Sequence, residues 1–80
     1  MLTNKQLFEL SGIAEPDFYT IYNSIKEYID SIARYDLDNN ETTKTAVSRE
    51  IRKAARTQKS YNNLVFVWYG NRCYIIDMEV

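Results

Sequence analysis

Apolar residues fall along the chain in two rhythms, and the change from one to the other outlines the fold. A short first helix is predicted over residues 4–11. Thr3 is a good N-cap with Gln6 three residues on, Leu2 and Leu7 sit at the positions of a hydrophobic staple, and Gly12 offers a left-handed stop. A longer second helix is predicted from Pro16 to about Tyr35. Glu15 and Asp17 suit its N-terminal dipole. Phe18, Ile21, Tyr22, Ile25, Ile29, Ile32 and Ala33 recur at spacings of three and four, which makes an apolar stripe of period 3.6. Asp36-Leu37-Asp38-Asn39-Asn40 then reads as a loop, with Asp38, Thr42 or Thr43 as the next cap.

The third helix is predicted over residues 43–58. At 100° per residue Val47, Ile51, Ala54 and Ala55 share one narrow face, and Arg49, Arg52, Lys53, Arg56 and Lys59 share the opposite one. The rhythm then changes. Leu64-Val65-Phe66-Val67-Trp68-Tyr69 and Cys73-Tyr74-Ile75-Ile76 are β-branched and aromatic, and Gly70-Asn71 between them fits a two-residue hairpin turn. That turn pairs Trp68 with Cys73 and Phe66 with Ile75 on one face. On the other it pairs Tyr69 with Arg72, Val67 with Tyr74, and Val65 with Ile76. The fold class is α+β: three helices followed by a C-terminal two-stranded antiparallel hairpin, winged-helix-like, in a single domain over residues 1–80. Both hairpin faces are substantially apolar. The second therefore needs cover from the first helix, from a partner or from a second copy of the chain, hence an expected homodimer or hetero-complex.

Composition sharpens this picture at a few points. At 45% hydrophobic and 14% aromatic the chain is too apolar to be a disordered tail. The single cysteine rules out an internal disulfide. No segment has the ~18 apolar residues of a membrane span and Met1–Gln6 lacks the apolar core of a signal peptide, so no membrane is expected as a partner and the expected location is cytoplasmic. The abundance of Asn, Ile, Lys and Tyr matches coding by an AT-rich genome.

Catalytic chemistry is scarce. The absence of histidine removes Ser-His-Asp and Cys-His catalysis and most zinc sites. Cys73 is expected mid-strand as inert core. No glycine-rich phosphate loop exists, since Gly12 and Gly70 each serve a local turn. A calcium loop starting at Asp36 fails because Glu41 stands where glycine is required and Val47 where the closing Glu should be. Asp77 and Glu79 read as a charged, frayed terminus. The expected protein is not an enzyme and uses no metal or cofactor.

The distribution of charge says more than its sum of −1. Residues 44–72 carry Lys44, Arg49, Arg52, Lys53, Arg56, Lys59 and Arg72 against Glu50 alone, a local net of +6, and the remainder nets −7. These seven cations are the candidate nucleic-acid contacts, because arginine forks suit phosphate and guanine edges. Ser48, Thr57, Gln58, Ser60, Asn62 and Asn63 supply short polar groups nearby. A basic helix followed by a two-stranded ribbon is the winged-helix arrangement, with DNA the expected partner. The same face on a solvated helix, or paired with the ten acids elsewhere, would be plain surface. Asn23–Glu27, Val47–Ala54 and the aromatic Trp68-Tyr69 together are similar to the helix-turn-helix repeats appended to mobile-element endonucleases. The intervening segment is longer here, and the glycine before the aromatic strand is missing.

The competing expectation is a phage-type or mobile-element accessory or inhibitor protein. It would bind an acidic surface on a larger host or defence protein through the basic helix and a hairpin face bearing Tyr69, Tyr74 and Val67. Phe66 and Trp68 are expected in the core.

Overall fold

A computed structural model describes residues 2–35 and 41–79. The elements run α1 (Asn4–Ser11), β1 (Thr20–Tyr22), α2 (Ile25–Tyr35), α3 (Glu41–Thr57), β2 (Ser60–Tyr61), β3 (Leu64–Tyr69) and β4 (Arg72–Asp77). The α+β class and three helices agree with the sequence reading. The sheet, however, has four antiparallel strands in the order β1-β4-β3-β2, where a two-stranded hairpin was expected.

α1 forms as its capping signals require. The Thr3 hydroxyl accepts from the Gln6 N–H, and the Gln6 side chain accepts from the Thr3 N–H. Gly12 ends the helix at φ 73°, and its N–H returns to the carbonyls of Phe8 and Glu9.

The second helix is the main correction. Pro16 does not start it. Residues 20–22 form β1, which pairs with β4 in the register Thr20↔Asp77, Ile21↔Ile76 and Tyr22↔Ile75. The helix begins only at Ile25, where Ser24 Oγ accepts from the Glu27 N–H at 3.0 Å and the Glu27 carboxylate accepts from the Asn23 N–H at 3.1 Å. Ser24 is thus the N-cap, with Glu27 reaching back to the amide before it, and the cap lies nearly two turns inside the stripe. It leaves Phe18, expected in the core, 72% exposed. The helix reaches Tyr35, as the sequence reading expected.

α3 starts at Glu41, so Thr42 and Thr43 lie within the helix and do not cap it, while Asp38 falls outside the described residues. Val47, Ile51, Ala54 and Ala55 face inward as the wheel requires. The central hairpin has the expected register, from Val65↔Ile76 to Tyr69↔Arg72, with Gly70 at φ 63° in its turn. A second tight turn at Asn62-Asn63 folds β2 back on β3, and Asn62 takes φ 53°, which asparagine tolerates.

The two faces of β3–β4 carry two separate cores. Leu64, Phe66, Cys73 and Ile75 pack with Ile25 and Ile29 of α2 and Ile51, Ala54 and Ala55 of α3. Val67, Tyr74 and Ile76 pack with Leu7 and Phe8 of α1. β4 is thus central and buried on both sides, with Ile75 and Ile76 fully enclosed. The second hairpin face is covered by the chain's own first helix, which removes the motive for a homodimer through it. Among the described residues, no helix is long and apolar enough to cross a membrane.

Candidate nucleic-acid interface

The cations of residues 44–72 divide by their place on α3. Arg49, Lys53 and Arg56 follow one another at spacings of four and three along the face turned away from the core, and all three are exposed. Arg52 lies on the flank nearest α2. Its Nε donates to Ser48 Oγ at 3.3 Å, one turn earlier. Lys59 follows the helix end and Arg72 opens β4, both exposed. Among the described residues no acid lies within ion-pair distance of Arg49, Arg52, Lys53, Arg56, Lys59 or Arg72.

Lys44 stands apart. It is half-buried and its Nζ sits 3.2 Å from Asp30 of α2, which also holds Lys26 at 2.6 Å. Hydrogen bonds from Lys26 and Lys44 keep the Asp30 carboxyl below its ordinary range. Lys44 therefore ties α3 to α2, and its charge is largely answered within the chain. The acid inside the basic segment, Glu50, is also engaged: it accepts the Tyr61 hydroxyl on the opposite flank of α3.

The two flanks of α3 consequently differ in sign. On the β2 side a groove of about 330 Å³ is lined by Glu50, Asp77, Tyr61 and Asn63, among others, with no cation. Burial, and then the neighbouring Glu79, push the Asp77 carboxyl above its ordinary value. On the α2 side a groove of about 370 Å³ is walled by Lys26, Arg52 and Arg72, with Trp68 and Asn71, and no carboxylate lines it.

The hairpin residues fall into two groups. Val67 and Tyr74, expected to meet a partner, are instead buried beneath α1; strand alternation put them on the face that α1 covers. Tyr69 alone of the three is exposed. Phe66 is core, as expected. Trp68 is not: the residue is 49% exposed, and its indole N–H donates to the Ala55 carbonyl at 2.9 Å. Cys73 is buried core, and burial pushes its thiol up to about 11. Asp77 and Glu79 are not a frayed end. Asp77 closes β4 between Thr20 and Leu64, and Glu79 accepts the Thr20 hydroxyl at 2.8 Å.

No protein-family model matches the chain, and no curated protein or solved structure is significantly similar to it. Among the described residues no group of three or more Cys, Asp or Glu is placed to hold a metal ion. Sequence reasoning missed Lys26 as a member of the basic groove. The signal available for it was the Ser24-x-x-Glu27 cap, which places Lys26 in the first turn of α2.

Proposed function

We propose that this protein is a small non-enzymatic binding module that lays α3 along a nucleic-acid backbone, DNA first, with the β3–β4 turn beside it. One observation carries the reading. Arg49, Arg52, Lys53 and Arg56 form an exposed row that no acid neutralises among the described residues, although the chain carries more acids than bases. An unanswered row of this kind holds condensed anions or a phosphate backbone, and binding to a backbone releases counterions. The turn at Gly70-Asn71, with Arg72 and Lys59, takes the part that a wing plays in a winged helix, although its strands form the centre of the sheet.

The test is binding of a labelled duplex across a salt series. Each lost phosphate contact should reduce the slope of log K against log salt by about 0.9. Reversing Arg52 and Arg56 to Glu should nearly abolish binding, because attraction turns to repulsion within a Debye length of roughly 8 Å. Lys44→Gln should change the slope little, since Asp30 already answers that charge. Lys5, on α1 across the sheet, is the control; Lys26 is unsuitable because it borders the basic groove. No duplex binding at low salt would overturn the reading.

A second reading has an observation of its own. Leu10, Phe18 and Tyr69 are large and more than half exposed. An accessory or inhibitor protein that docks on an acidic protein surface would use such anchors beside its cations. A stable complex with a protein, weakened by Phe18→Ala and indifferent to competing DNA, would favour it.

A further inference from the structure

We propose that the groove on the α2 flank of α3 takes a single unpaired nucleotide, with its base against Trp68 and its phosphate on Arg52. This rests on the reading of α3 as a nucleic-acid surface and names which form of nucleic acid the site selects.

Three features converge there. The first is Trp68. Its indole N–H is fixed on the Ala55 carbonyl, so the ring is held in place, and yet the residue is about half exposed and lines the groove. A held, half-exposed tryptophan is a stacking platform: every base has a π-face, and no sequence is required of it. The second is Arg52. Ser48 takes its Nε and fixes the side chain, and its terminal nitrogens have no partner among the described residues. A guanidinium in that state suits a phosphate oxygen pair. The third is the sign of the walls. Arg52 and Arg72, which no acid pairs among the described residues, border this groove together with Lys26, which Asp30 holds at 2.6 Å, whereas the groove on the other flank has Glu50 and Asp77. An anion is therefore directed to one side of α3 only.

Size selects the ligand further. About 370 Å³ lies at the low end of small-ligand sites, which run from roughly 300 to 1,000 Å³. That is room for one nucleotide. In a duplex the base faces are occupied by their neighbours, so a tryptophan face inside a groove meets a base only where the base is unstacked. The nucleotide could come from a single strand or arrive as a free mononucleotide, and both present the same chemistry.

Trp68 is the sole tryptophan, so its emission reports the groove directly. The unmodified protein is titrated with a short mixed-sequence single strand, its duplex and AMP. Emission and the anisotropy of labelled strands are followed together. Quenching that saturates with single-strand binding, while the duplex binds without quenching, is the expected result. Trp68→Ala should then weaken the single strand about tenfold or more and leave the duplex within about twofold. Trp68→Phe, which keeps a ring, should recover part of the loss. Arg52→Gln should weaken quenching by both the strand and AMP. Saturable quenching by AMP without binding of either polymer supports the groove and assigns it to a free mononucleotide, while overturning the reading of α3. Binding of strand and duplex with unchanged emission overturns the groove and leaves the reading of α3 intact. No quenching and no binding overturns both.

Discussion

The indole nitrogen of Trp68 donates to the carbonyl oxygen of Ala55 at 2.9 Å, and this bond joins the hairpin to the last turns of α3. Ala55 lies two residues before the helix end at Thr57, where carbonyls have no partner within the helix. The tryptophan thus acts as a C-terminal cap supplied from the sheet. Trp68→Phe keeps most of the apolar contact and removes the donor. It is expected to cost about 1 kcal/mol, read as a lowered urea midpoint in far-ultraviolet circular dichroism.

Leu7 is 1% exposed and joins α1 to Val67, Tyr74 and Ile76. Leu7→Ala is expected to cost about 2–5 kcal/mol, a large share of the roughly 5–15 kcal/mol that holds a domain together. Loss of α1 would bare the second sheet face. Concentration-dependent self-association in light scattering should accompany the loss of stability, with Lys5→Ala as a silent comparison.

Ser24 sets where α2 begins, through its hydroxyl on the Glu27 N–H. Ser24→Ala is expected to cost about 1 kcal/mol, within the range of measured N-caps, and Ser24→Asp should restore most of it. Equilibrium denaturation of the three proteins measures the effect.

Burial raises the Cys73 thiol from its ordinary value near 9 to about 11. The folded state therefore holds the proton more tightly than the unfolded one. This contribution to stability is fully present below pH 9 and is lost as pH rises through about 11. Melting temperature should fall over that window, and Cys73→Ala should flatten the fall while lowering stability throughout. At neutral pH a thiol reagent should label Cys73 quickly in denaturant and only at the unfolding rate without it.

The charge pattern of α3 was legible in the sequence because a helix repeats every 3.6 residues. Once Val47, Ile51, Ala54 and Ala55 face the core, Arg49, Lys53 and Arg56 can only face water. The partners of those charges were not legible. Lys44 meets Asp30 and Glu50 meets Tyr61 across sequence gaps, through the docking of α2 and β2 on α3. The groove at Trp68 likewise needs three elements brought together before Lys26, Arg52 and Arg72 border one space.

Local chemistry alone determined the capping box of α1, the register of β3 with β4 and the inward face of α3. In each case the deciding residues lie within a few positions of one another: Thr3 and Gln6, Gly70-Asn71, Val47 to Ala55. Only the tertiary structure decided the fate of residues 18–22. Phe18, Ile21, Tyr22 and Ile25 have helical spacing, but Tyr19-Thr20-Ile21-Tyr22 is also an unbroken run of aromatic and β-branched residues suited to a strand. β4 has a free edge whose N–H and C=O groups need partners, and this segment supplies them through Thr20↔Asp77 and Tyr22↔Ile75. That need arises 53 to 57 residues away, so periodicity along the segment itself carries no trace of it.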